Sequence, residues 1–224
     1  MPLGKLGGEH GAAGTAEKPQ KWRRYASQLY NMPKYPSLFQ AASDWHNNAC
    51  LNFSDDPSYG YIKGYLRAGE ILCDFVNQEG THQDTLVFPI IFLFRHHLEI
   101  RLKETIKKAR LILDDGNDYK SGHSLEALWK ECKPLLIRVW KDQKPPEDMQ
   151  LIDHVISEIH LVDAQSHAFR YWESTDKQGR KENLENIKYI NIRHFRDHMS
   201  TVTNFLDGVS SGLGSLLDGI HDER

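Results

Sequence analysis

Cysteine is scarce in this chain, and the spacing of the few it has excludes two architectures. Cys50, Cys73 and Cys132 are the only three. They stand far apart with no CxxC pair, which argues against a zinc site and a disulfide framework and fits a reducing cytoplasm. An excess of one charge is missing too: 28 Lys and Arg against 31 Asp and Glu leave a formal net charge of −3, no global mark of nucleic-acid or anionic-membrane binding. Long hydrophobic runs are absent. The apolar stretch from Leu86 to Phe94 is too short to span a bilayer, and MPLGKLGGEHGAAGTAEKPQ holds no apolar core of a secretory signal, so a cytoplasmic protein with no membrane partner is expected. There is no Walker A sequence, no HExxH and no GxSxG. Gly212-Leu213-Gly214 lacks the third glycine of a dinucleotide fingerprint, and Asp114-Asp115-Gly116-Asn117-Asp118 has the wrong glycine and glutamate spacing for an EF-hand. No metal and no cofactor is expected.

What is present is helical pattern with charge in an unusual place. In LVFPIIFLFRHHLEIRLKETIKKARLIL, Leu86 to Leu113, the residues Leu98, Leu102, Ile106, Ala109 and Leu113 form one stripe at about 100° per residue. Arg95 and Glu99 fall on that same stripe, one turn apart. Charges held off water are costly unless paired and hydrogen-bonded. The helix therefore carries an internal ion pair for architecture or lines a polar site. The all-round apolar start predicts a central helix with Phe88, Ile91 and Phe94 out of water. Arg95, Arg101, Lys103, Lys107, Lys108 and Arg110 oppose only Glu99 and Glu104, a local positive stretch of the kind that usually forms a solvated helix side.

The rest reads as further helices between two loose ends. Residues 1–20 are Gly/Ala-rich and read as a disordered tail, and the Gly/Ser-rich stretch 208–224 as a flexible C-terminal tail. Between them, 21–207 reads as a single helical-bundle domain. Helix-compatible sequence occurs within 35–53, and Asp55-Asp56-Pro57 starts a helix through 60–79. Leu125, Leu128, Leu135 and Val139 mark a helix over 122–142; Met149, Ile152, Val155, Ile156 and Ile159 mark the next. AFRYWE and NIKYIN then alternate, with TDKQGRKEN between them as a turn, so a short β-hairpin is expected. The last helix is capped by Asn191, buries Phe195, Met199, Val202 and Leu206, and has Gly208 past its end. The fold class is mainly all-α: a bundle of six helices with a small β-hairpin insertion.

The pattern Glu99-Ile100-Arg101-Leu102-Lys103, a loop, then Gly122-His123-Ser124-Leu125-x-x-Leu128-Trp129 resembles the HEPN superfamily of helical bundles. The run from about Tyr61 to Leu206, including Phe169-Arg170-Tyr171, is similar to a bacterial branch of it with no assigned function. The resemblance covers about two thirds of the chain. It implies a HEPN-like bundle and, for ribonuclease members, an Arg-x(4–6)-His pair on a late helix that cuts RNA without a metal at a site built across a homodimer. Here the match is Arg193-His194-Phe195-Arg196-Asp197-His198. In that role His198 is the general base or acid and Arg193 stabilises the phosphorane. Five residues along a helix turn by a net 140°, so a groove between two copies suits the pair better than one helix does.

A second constellation comes from the residues themselves: Arg95, Glu99, Lys103, His123 and Arg170, with His123 opening the helix across the loop. Its architectural reading is a satisfied buried network. Its functional reading is a ligand or phosphate pocket at one end of the bundle. Two functions follow. One is a binding or defence-associated module that takes RNA, a small ligand or a partner protein. The other is a metal-independent HEPN ribonuclease acting as a toxin or phage-defence effector.

Overall fold

The structure is a computed structural model and describes residues 38–116, 119, 122–143, 146, 148–176 and 179–222. The expected disordered tail, 1–20, lies outside the described residues. The chain divides into two units, Met1–Cys50 and Leu51–Arg224.

In the first unit the stretch expected to be helical holds only a 3-10 turn, Trp45–Asn47, among its described residues. The side chains there prefer local bonds to a helix ladder. Asn48 binds both the N–H and the C=O of Ala42, each at 2.8 Å, and Asn47 donates to Asp44 at 2.9 Å. Short polar side chains of this kind compete with helix, which explains why the compatible sequence does not form one.

The second unit is five α-helices and one two-stranded antiparallel sheet among the described residues. Helix α1 is Pro57–Glu79, α2 is Gln83–Ile112, α3 is Leu125–Val139, α4 is Asp148–Asp163 and α5 is Ile192–Asp222; the strands are β1, Glu173–Asp176, and β2, Gly179–Glu182. Local signals set the ends. Asp56 caps α1 by accepting from the N–H of Ser58 at 2.8 Å, Pro57 occupies the first turn, and Gly80 at φ 64° closes the helix. Ser124 caps α3 through the N–H of Ala127, and the side chain of Asn191 accepts from the N–H of His194 at the start of α5.

Helix α2 is the centre, packing against α1, α3 and α5. Ile90, Phe94, Leu98, Leu102, Ile106 and Ala109 are at most 1 % exposed, and they join Cys73 from α1, Leu125 and Cys132 from α3, Ile152 and Ile156 from α4, and Met199, Val202 and Leu206 from α5 in one core. Gly69 lets α1 come close, since a Cβ there would meet the Phe94 ring at 2.9 Å. The expected burial of Ile91 and Phe94 is found, but Phe88 stays 44 % exposed at the rim of a cleft. All three cysteines are free, and burial pushes the Cys73 thiol up to about 11.

Two elements differ from the sequence expectation. The last helix does not stop at Gly208 but runs on to Asp222. Its buried stripe continues through Ser210 and Leu213 at helical spacing, so packing outweighs the cost of about 1 kcal/mol that each interior glycine carries. The hairpin forms mostly within the segment read as its turn, 175–183, and takes only Glu173 from the expected first strand, with Glu173 opposite Glu182 and Thr175 opposite Arg180. The aromatic segment before it is drawn out of strand geometry by Asp163, whose carboxylate accepts from the N–H groups of His167 at 2.7 Å and Ala168 at 3.1 Å. These bonds fold 167–171 into a turn, with the N–H groups of Arg170 and Tyr171 both on the His167 carbonyl.

Candidate functional site

One end of the bundle gathers Arg95, Glu99, Lys103 and His123 around two buried carboxylates. Arg95, 1 % exposed, lies between Glu99, which its Nη1 meets at 3.3 Å, and Asp163, whose Oδ2 lies 3.5 Å from its Nε. The guanidinium also donates through Nε to the Asp163 carbonyl at 3.3 Å and through Nη2 to the His123 carbonyl at 2.7 Å. A single side chain of α2 thus ties down the end of α4 and the approach to α3.

Glu99 is 2 % exposed. Its Oε1 accepts from Lys103 at 2.8 Å and from the Nδ1–H of His123 at 2.8 Å. Burial alone raises such a carboxyl, but the bonds from Lys103 and His123 outweigh it and hold the group below the ordinary range. Because an ionised carboxylate only accepts, it fixes His123 with the proton on Nδ1 and leaves Nε2 directed away from the pair. The His123 side chain is 65 % exposed. A buried base therefore orients an imidazole that solvent reaches.

Arg170 departs from its expected place. It sits on the turn after α4 rather than in a strand, its Nε donates to the Ser166 carbonyl at 2.5 Å, and its guanidinium lies 5.3 Å from the Tyr171 ring and 5.8 Å from that of Phe92. Strand alternation would have sent it away from Tyr171; the turn brings the two together. Its positive field reaches Arg95, but its described partners are the carbonyl and the rings.

The aromatic series continues on both sides. Phe92 stacks on His96 at 5.7 Å, and His96 meets Tyr65 edge-on at 4.4 Å. Burial lowers the His96 pKa. Beyond Arg170 a cleft of about 850 Å³ opens between the start of α2 and segments 168–172 and 182–190, lined by Phe88, Phe169, Tyr171, Trp172 and Tyr189 as well as Arg170 itself. Trp172 and Tyr189 are 80 % and 94 % exposed. In the other direction along α2, Lys103 and Lys107 approach the Tyr119 ring at 5.5 and 5.0 Å. Helix geometry puts Phe88, Phe92, His96, Glu99, Lys103 and Lys107 within an arc of roughly 100° and about 28 Å of axis, aromatic at one end and cationic at the other.

Comparison with protein-family models, with curated proteins and with solved structures finds no match.

Arg193 and His198 lie on the first turns of α5 and are exposed. The His198 Nδ1 is 2.7 Å from the His194 carbonyl, so that nitrogen carries the proton and Nε2 faces out. Among the described residues no bond links this pair to the Glu99 cluster. Sequence reasoning missed Asp163, although its signal was there: it continues the stripe of Ile152, Ile156 and Ile159, a carboxylate on an apolar face like Glu99. It also missed a second network on α2. There Arg101 pairs with Glu104 and Asp207, Lys63 meets Asp207 at 2.7 Å, and Ser210 donates to Glu104 at 2.9 Å. Every charge in that network has an opposite partner, as expected of architecture. Among the described residues no group of three His, Cys, Asp or Glu is arranged to hold a metal ion, and no helix is long and apolar enough to cross a membrane.

Proposed function

We propose that the chain is a helical-bundle module that binds an unpaired RNA segment along the side of α2 that carries Phe88, Lys103 and Lys107, beside His123 and Arg170. The phosphates lie at Arg170, His123, Lys103 and Lys107, and the bases lie in the aromatic cleft. The observation that carries this reading is the exposed His123 imidazole held by the buried Glu99, with cationic side chains on one side and exposed aromatic rings on the other. Cations attract phosphate without regard to sequence, and rings accept any base face. That combination serves a single strand better than a duplex, whose bases are already stacked.

Fluorescence anisotropy with a labelled single-stranded RNA and the matching duplex tests it. The single strand binds more tightly. Trp172→Ala costs about 1–3 kcal/mol per lost stacked base, and Arg170→Ala weakens binding while lowering the salt slope by about one. Trp172 is 80 % exposed, so its variant keeps the melting temperature of the parent, and Arg170→Ala loses one bond to the Ser166 carbonyl and its ring contacts without unfolding. Equal affinity of parent and both variants would sink the reading, as would a preference for duplex.

The metal-independent ribonuclease is the second reading. It is supported by the resemblance to HEPN ribonucleases together with the exposed His198, whose outward Nε2 is free to move a proton. It requires a second copy of the chain to complete the site. In the same samples with EDTA, cleavage that disappears in both His198→Ala and Arg193→Ala supports it; intact RNA in the parent removes it.

A further inference from the structure

A second cavity, away from the Glu99 cluster, opens where α3, the start of α4 and α5 meet. Its volume is about 350 Å³, and its walls are Leu136, Ile137, Trp140, Met149, Phe205 and Val209. The polar side chains among its lining are two neutral amides, Gln143 and Asn204, both exposed. Among the described residues no ionisable group lines it.

Gly208 forms part of the wall. A glycine inside a helix costs about 1 kcal/mol relative to alanine, and close packing is the usual compensation. Gly208 has no such compensation, because a Cβ built on it would meet nothing within 4 Å. Gly212, one turn on, differs: a Cβ there would lie 3.2 Å from Trp140. Glycine at 208 thus leaves this part of the wall without a side chain, and a larger residue there has open space to occupy.

We infer that this cavity is a binding site for a small uncharged ring compound of one or two rings. Size and chemistry both point there. An apolar cavity of about 150 Å³ accepts benzene, so this space accommodates a bicyclic ligand. Rings contact Trp140 and Phe205 edge-on or offset, and the amides at the mouth satisfy a single hydroxyl or ring N–H. A carboxylate or an ammonium entering the cavity would lose its hydration and gain no countercharge from the described lining residues, which favours neutral ligands over ionic ones.

The test is a methyl-region NMR titration of the full chain with indole. Saturable shift changes are expected at the methyl groups of Ile137, Met149 and Val209, with none at Leu161, which is 80 % exposed on another face. Gly208→Leu fills the cavity and improves helix propensity, so it folds and weakens indole binding at least tenfold. Ile137→Asp puts a charge at the mouth from a position already 43 % exposed and weakens binding to the same degree, which keeps the test valid if the leucine variant is unstable. Benzyl alcohol binds at least tenfold more tightly than benzoate or benzylammonium. Absence of saturable shifts in the parent overturns the inference. So does unchanged affinity in a folded variant, or equal binding of the charged and neutral probes.

Discussion

Arg95→Met lowers the stability of the protein by about 3–5 kcal/mol, measured as a fall in the denaturant midpoint at constant slope. The side chain is 1 % exposed and meets both Glu99 and Asp163. Methionine fills a similar volume, so little of the loss comes from a cavity. The cost arises because two buried carboxylates lose their shared cation, and because the carbonyls of Asp163 and His123 lose their donor. Glu99 keeps Lys103 and His123, and Asp163 keeps two backbone N–H groups. The double variant Arg95→Met/Asp163→Asn regains part of the loss: it removes one unpaired charge and retains an acceptor for His167 and Ala168. An unchanged midpoint for Arg95→Met would show that the network contributes nothing to folding, and a double variant less stable than the single one would refute the charge argument.

The reason Arg95 and Glu99 were legible in the sequence is that they extend the stripe of Leu98, Leu102, Ile106 and Ala109, so a charge on that face stands out. The same logic applied to α4 would have revealed Asp163. What was not legible depends on contacts distant in sequence. The turn at 167–171 exists because a carboxylate four residues upstream takes two backbone N–H groups, and alternation of aromatic residues cannot reveal that competition. The extension of α5 past Gly208 depends on Ser210 and Leu213 packing against other helices, which overrides a Gly/Ser composition that locally signals an end. Arg170 was expected on a strand and lies on this turn, which brings its guanidinium to the Tyr171 and Phe92 rings.

The second large effect is a loss of stability with mild acid that comes from His97. This side chain is 0 % exposed, its Nδ1 is 2.9 Å from the Ile62 carbonyl, and among the described residues its Nε2 has no partner. Burial lowers its pKa from 6.5 to about 4, and the nearby Arg101 and Lys63 act in the same direction while Asp207 opposes them. The unfolded chain therefore binds a proton from about pH 6.5 downward and the folded chain does not until about pH 4. Between those values the unfolded state holds more protons, so stability falls as pH falls, by about 3 kcal/mol for a shift of this size. Glu99 and Asp207 act in a lower window, which opens near the ordinary carboxylate values of 4.5 and 3.8. Their folded pKa values are lowered against burial by bonds from Lys103 and His123 in one case and Lys63 in the other, so their stabilisation is present above the ordinary carboxylate pKa and is lost as pH falls through the folded value. Denaturant midpoints taken from pH 7 to pH 3 separate the two. His97→Gln keeps an amide donor for Ile62 and flattens most of the slope from pH 6.5 down to where carboxylates begin to titrate, while Glu99→Gln flattens only the part below about 4.5. A parent whose stability stays constant down to pH 4.5 would contradict the buried neutral imidazole, as would a His97→Gln variant that keeps the upper slope.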